Sequence, residues 1–216
     1  MVEFGLYMLL SVIETFALFF LAFKVFKIDL FIKEMIFAAS IMSFFSFIIR
    51  KDYQLPQVDI VLQYTLIFFF FWFLFRIHVF YAAIMTGMAY QGYSFFQTVY
   101  YFLFERLGIM SIHLTFLSEF PTYLLQISTA STAILVGVII ENRRKGFDFI
   151  PDKPAGKIKV SLREKILFAL NLPSFIIVVF TLFLTQQLMS FYLLLPFCYA
   201  SILYGYLYLS YKRDRG

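Results

Sequence analysis

Residues 141–165, ENRRKGFDFIPDKPAGKIKVSLREK, form the one long polar break in a chain that is otherwise mostly hydrophobic, and they hold eight of its eighteen Lys and Arg residues. Short loops rich in Lys and Arg stay on the cytoplasmic side of a membrane protein, because moving their charge across the bilayer is resisted during insertion. Placing this loop inside orients everything around it. A helix crossing a hydrocarbon core of roughly 30 Å needs about 20 apolar residues, and a helix satisfies its own backbone groups in a single lipid-exposed segment. Seven runs meet this description, with helices expected over about 4–23, 30–49, 58–75, 79–104, 122–140, 162–186 and 190–211. The second is short unless 30–32 join it. Only Arg76, Ile77 and His78 separate the third from the fourth. Their combined length far exceeds one crossing, so the pair reads as a hairpin.

Alternation from the inner loop puts Lys24, Lys27, Lys33, Arg76, Lys212, Arg213 and Arg215 inside as well, leaving Arg50, Lys51 and Arg106 outside: fifteen basic residues against three. The expected architecture is all-α: a polytopic integral membrane protein with seven transmembrane helices. The amino terminus is outside and the carboxyl terminus cytoplasmic, and residues 1–216 form a single domain. Composition agrees, at 62% hydrophobic and 14% charged with mean hydropathy +0.85, against about 45–50% apolar and about 25% charged for a soluble domain. The net charge of +5 is explained by the positive-inside bias, so no nucleic acid is expected as a partner. A single cysteine, Cys198, excludes a disulfide framework. Met1-Val2-Glu3 lacks the basic start of a signal peptide, so the first span is expected to be retained.

Within the long loop Pro151, Pro154 and Gly156 oppose regular structure, and Ser161 with Glu164 makes an S-x-x-E capping box opening the sixth helix. Arg163 and Lys165 are placed to snorkel to headgroups. Residues 105–121, ERLGIMSIHLTFLSEFP, are too short to span. With Ile109, Ile112, Phe116 and Phe120 at helical spacing they read as an interfacial helix or lid, although the alternation of Ile112, Leu114 and Phe116 with Ser111, His113 and Thr115 fits a strand equally well. No internal repeat is evident, which counts against a repeat-built transporter.

Glu14 lies about 15 Å into the first helix at 1.5 Å per residue, with no basic residue at matching depth. Such a carboxylate is costly in a bilayer and faces the bundle interior; Tyr7 and Ser11 share its face. It is either a ligand, proton or cation site or a hydrogen-bonded strut between helices. On the fourth helix Thr86, Tyr90, Tyr93, Gln97 and Tyr101 fall within an arc of about 80°. Gln63 on the third helix and Gln126, Ser128 and Ser131 on the fifth belong to the same outer half. A cavity open to the outside needs such groups; interhelical hydrogen bonds, worth about 0.6 kcal/mol on average, are the structural alternative. The candidate ligand contacts are thus Glu14, Tyr90, Tyr93, Gln97, Gln63 and Gln126. Thr129, Ala133 and Gly137, and Ala83 with Gly87, are small-residue ridges suited to close helix contact. Pro173 and Pro196 are candidate kinks.

Enzyme readings lack residues. His78, His113 and Cys198 fall at different depths, no H-E-x-x-H, G-x-S-x-G or P-loop occurs, and the seventh helix has no interior lysine for a Schiff base. No catalysis, cofactor or metal is expected. The inner surface is different: Arg143, Arg144, Lys145, Lys157 and Lys159 are placed to meet a cytoplasmic protein partner or anionic lipid.

The outer amino terminus, the central glutamate and short basic turn in ETFALFFLAFKVFKIDLFIKE, and the bundle ending in a basic tail resemble the membrane sensor module of Agr-type, GHKL-family histidine kinases of Gram-positive bacteria. That resemblance implies a bacterial plasma-membrane receptor-like or accessory signalling protein recognising a small or peptide ligand from outside. No dimerisation helix, phosphoacceptor histidine or ATP-binding domain stands within these residues, so it implies a partner that carries the output. Seven spans also resemble sugar transporters of the PQ-loop type, but Pro56-Gln57 is expected in an outer loop rather than within a helix. A small-solute transporter and a scaffolding subunit are the alternative functions.

Overall fold

The computed structural model describes residues 2–109, 120–150, 160–187 and 194–215, and every regular element among them is helical. They are α1 (Val2–Val25), α2 (Ile32–Phe47), α3 (Pro56–Phe69), α4 (Val79–Arg106), α5 (Phe120–Asn142), α6 (Leu162–Ala169), α7 (Asn171–Gln187) and α8 (Leu195–Arg215). Two π-helical turns, Ile48–Asp52 and Phe70–Leu74, prolong α2 and α3.

Local chemistry sets the helix ends. Lys27, Gln54, Arg76 and Arg144 take the left-handed conformation, with φ of 51°, 53°, 56° and 51°. After α1 the Ile28 N–H donates to the Phe23 carbonyl (2.9 Å), and after α5 the Lys145 N–H donates to that of Ile140 (3.1 Å). These bonds close carbonyls that a helix C-terminus otherwise leaves open. His78 starts α4, its Nδ1 accepting from the Phe80 N–H, which makes the 76–78 interruption a tight hairpin. The capping box opens α6: the Ser161 Oγ accepts from the Glu164 N–H at 3.3 Å, and the Glu164 carboxylate accepts from the Ser161 N–H at 2.6 Å.

Four segments are long and apolar enough to cross a membrane: Phe4–Val25, Ile32–Asp52, Gln57–Leu74 and Phe120–Asn142. The described parts of the other three expected runs are helical but do not reach that threshold. At 28 residues α4 has ample length, and its Tyr, Gln, Ser and Thr residues dilute its apolar character. The expected sixth helix is not continuous. It breaks at Leu170 into pieces of 8 and 17 residues, because Pro173 has no N–H for the Ala169 carbonyl. The Asn171 amide bridges the break, donating to the Phe168 carbonyl at 3.1 Å. In α8 five tyrosines and the charged tail 212–215 lower hydropathy. Pro196 falls in the first described turn of that helix, where proline is tolerated, rather than at a mid-helix kink.

Successive helices run antiparallel, with α6 and α7 counted as one broken helix, as their end contacts show. One end holds the Lys24–Glu141 ion pair, the Phe147 N–H on the Val25 carbonyl at 2.7 Å and Arg213 on Glu164 at 3.1 Å. The Tyr81 hydroxyl also reaches Glu164 there, at 3.3 Å. The opposite end joins Tyr7 of α1 to Ser46 of α2 at 2.8 Å and Arg50 to Asp59 of α3 at 2.5 Å. The core is centred on α1, whose Phe19 and Phe23 meet Phe71 edge-on at 5.4 and 5.9 Å. The Thr129, Ala133 and Gly137 ridge of α5 is buried against α1, and a Cβ on Gly137 would come within 2.8 Å of the Phe20 ring. Outward faces carry exposed Leu9, Phe37, Phe73, Leu135 and Phe197 among many large apolar side chains, an apolar exterior that fits lipid.

The polar break is more ordered at its start than its composition suggests. Phe149 and Ile150 are buried, with Phe149 against Phe26 at 5.8 Å. Gly146 is required at its position, since a Cβ would meet the carbonyl oxygens of Lys24 and Val25 at 2.8 and 2.9 Å. The prolines, Gly156, Lys157 and Lys159 lie outside the described residues, as does most of the expected interfacial segment, including His113.

Candidate ligand cavity

At the end of the bundle where α1 begins, the helices part around a cavity of about 190 Å³. Its wall includes all six candidate contacts: Glu14 from α1, Gln63 from α3, Tyr90, Tyr93 and Gln97 from α4, and Gln126 from α5. The polar stripes of the first and fourth helices therefore face each other, and 3.6-residue periodicity explains the convergence: residues three and four apart share a face.

Glu14 is half-buried. The Gln126 amide Nε2 donates to its Oε2 at 2.8 Å, which leaves the Gln126 carbonyl oxygen buried without a partner. The Tyr93 hydroxyl lies beside the same carboxyl, placed to donate to it after a small adjustment, and in its present geometry it is buried without a well-formed hydrogen bond. Tyr93 is 4% exposed and Gln126 7%. Buried polar atoms are nearly always satisfied, so two open ones beside one carboxyl are notable.

A second cluster lies on the same wall and was not evident from sequence. Asp59, 0% exposed, sits in the first turn of α3 just after Pro56. Its Oδ2 accepts from Arg50 Nε at 2.5 Å and from the Ser46 hydroxyl at 2.9 Å. Tyr7 in turn donates to Ser46 at 2.8 Å. Gln63, one turn on from Asp59, spans Asp59 Oδ1 (3.3 Å) and the Met42 carbonyl (3.0 Å). The π-helical turn at 48–52 carries Arg50; such turns add a residue per turn and recur at functional sites. The available sequence signal was the i, i+4 pairing of Asp59 with Gln63. The ion pair itself joins two helices, and no spacing encodes it.

Ser128, Ser131 and Thr86 do not line the cavity. Ser131 is exposed, the Ser128 carbonyl accepts from Thr132 (3.0 Å), and the Thr86 hydroxyl turns back to the Ala82 carbonyl (2.8 Å). Deeper in the bundle, behind Tyr90, Tyr64 and Tyr206 donate to Asn171 Oδ1 at 3.5 and 3.2 Å. Ser174 donates to Tyr206 at 3.1 Å, and the Gln91 amide donates to the Ser174 carbonyl at 3.2 Å. This network ties α3, α4 and α8 to the break in the sixth helix. Gly87 leaves room for it, since a Cβ there would collide with Asn171 and Tyr206. At the opposite end Arg143, Arg144 and Lys145 are exposed, beside a groove formed with Lys24, Lys27, Asp29 and Glu141. No group of three or more His, Cys, Asp or Glu able to hold a metal occurs among the described residues.

Comparison with known proteins gives no family model, curated protein or solved structure that matches the chain.

Proposed function

We propose that the protein is a seven-span protein of the bacterial plasma membrane, amino terminus outside, that binds a small ligand in an outward-facing cavity and signals to a partner at its basic cytoplasmic face. The observation that carries this reading is the convergence of Glu14, Gln63, Tyr90, Tyr93, Gln97 and Gln126 on one cavity where buried polar atoms are left open. Interhelical struts satisfy each other; open groups facing a void leave a place for a ligand's own. The volume narrows the ligand. At about 190 Å³ the cavity is below the roughly 300–1,000 Å³ of drug-sized sites, so a peptide enters only by one end. Arg143, Arg144 and Lys145 supply the surface for the output partner.

The test is thermal unfolding of the purified protein in nanodiscs against a panel of small amines, alcohols, carboxylates, sugars and dipeptides. Some members are expected to raise the midpoint in the wild type and not in Ser11→Leu, which fills the cavity. A panel without any shift overturns the reading. One observation favours a transporter as the second reading: the sixth helix is broken at Leu170 beside a polar network, and discontinuous helices line transport sites. Uptake of the same ligand into proteoliposomes, abolished in Glu14→Gln, would decide for transport. Binding without uptake decides for a receptor.

A further inference from the structure

The cavity wall has an imbalance of charge and of hydrogen-bonding capacity. Its ionisable groups other than tyrosine are Glu14, Asp59 and Arg50, and Arg50 is bonded to Asp59 at 2.5 Å. With those two matched, Glu14 when ionised leaves the site one negative charge in excess, and a bound cation favours that form. Glu14 has no ion pair among the described residues. The atoms around it are acceptors: the Gln126 carbonyl oxygen can only accept, its NH₂ being committed to Glu14, and the Tyr93 hydroxyl can accept as well as donate. A ligand that completes this corner therefore brings several N–H donors and one positive charge.

We propose that the cavity recognises a primary ammonium group, as a small free amine or as the amino end of a peptide, with Glu14, Gln126 and Tyr93 as its three acceptors. This rests on the cavity being a ligand site. An –NH₃⁺ group carries three donors and no acceptor, which matches three acceptors converging from α1, α4 and α5. The tyrosine-rich wall, with Tyr7, Tyr90 and Tyr101 beside the polar corner, suits a cation further, since aromatic faces attract positive charge. A free amino acid suits it less well. Its carboxylate would have to compete for Arg50 with Asp59, which already holds that guanidinium. A quaternary ammonium would leave the Gln126 oxygen and the Tyr93 hydroxyl unsatisfied, at the cost of buried groups without partners.

The experiment measures thermal midpoints and binding isotherms of the nanodisc-held protein with butylamine, 1-butanol, tetramethylammonium, acetate and sodium, and with glycylglycinamide and its N-acetyl form. The expected result is a response to butylamine, to glycylglycinamide, or to both, and none to the others. Response to butylamine alone identifies a free amine as the source; response to glycylglycinamide alone identifies a peptide end. Affinity is expected to fall roughly tenfold or more in Glu14→Gln, the fold-change of a charge-assisted hydrogen bond, and by a smaller factor in Tyr93→Phe, which keeps the charge and so reports even if Glu14→Gln fails to fold. Equal responses to butylamine and butanol, or to sodium, blocked by Ser11→Leu, would overturn the ammonium assignment while leaving the cavity a ligand site. If no probe responds, both readings fall.

Discussion

Asp59 has no exposed surface, and among the described residues it is ion-paired with Arg50, so the pair is held by Coulomb attraction in surroundings that give neither ion much water. Removing one member strands the other. Arg50→Met is expected to lower unfolding stability by about 3–5 kcal/mol, whereas Arg50→Met combined with Asp59→Leu should recover most of that loss, because an apolar pair of similar volume has no desolvation penalty. Chemical denaturation in detergent micelles checks both; a double variant no better than the single would show that the ion pair contributes through packing. At this scale the sequence was informative where chemistry is intrinsic to a residue. A carboxylate in the middle of an apolar helix, Glu14, is conspicuous wherever it points. Arg50 and Asp59 were not legible, because each lies near a segment end where charge is ordinary and their meeting depends on how α2 turns into α3.

Helices were legible as elements because apolar length decides them, and their interruptions were not. The π-helical turns at 48–52 and 70–74 arise from tertiary fit and leave no periodic signature. The break at Leu170 has one, Pro173, but a proline alone does not distinguish a bend from a separation into α6 and α7. Packing between elements follows the small residues. Gly137→Ala would press a methyl group onto the Phe20 ring, at 2.8 Å from Cε1, and is expected to cost about 1–3 kcal/mol as overpacking. Adding Phe20→Leu should restore part of it, read by the same denaturation. The turn after α2 offers the opposite change. Gln54 holds φ of 53°, a conformation that costs a residue with a Cβ roughly 1–2 kcal/mol. Gln54→Gly is therefore expected to raise stability by about 1 kcal/mol in the same denaturation, the strain relieved exceeding the added freedom of the unfolded chain.

Across the whole molecule the two ends differ in chemistry. One gathers Lys24, Arg143, Arg144, Lys145, Arg163 and Arg213 with the carboxylates Glu141 and Glu164; the other holds the cavity and, among basic side chains, Arg50, Lys51 and Arg106. The proposed seven alternating crossings would give this partition, with α6 and α7, which continue in one direction, counted as one. It also gives the last prediction. Gln54, in the turn between α2 and α3, and Arg76, in the turn between α3 and α4, are both exposed and lie at opposite ends of the helix that Gln57–Leu74 provides. In a Cys198→Ser background, Gln54→Cys is expected to react with a membrane-impermeant maleimide on intact cells, and Arg76→Cys only after permeabilisation. The reverse pattern would place the cavity on the cytoplasmic side, where an external ligand could not reach it. Labelling of both from one side would mean that α3 does not cross, and the alternation built outward from residues 141–165 would fail with it.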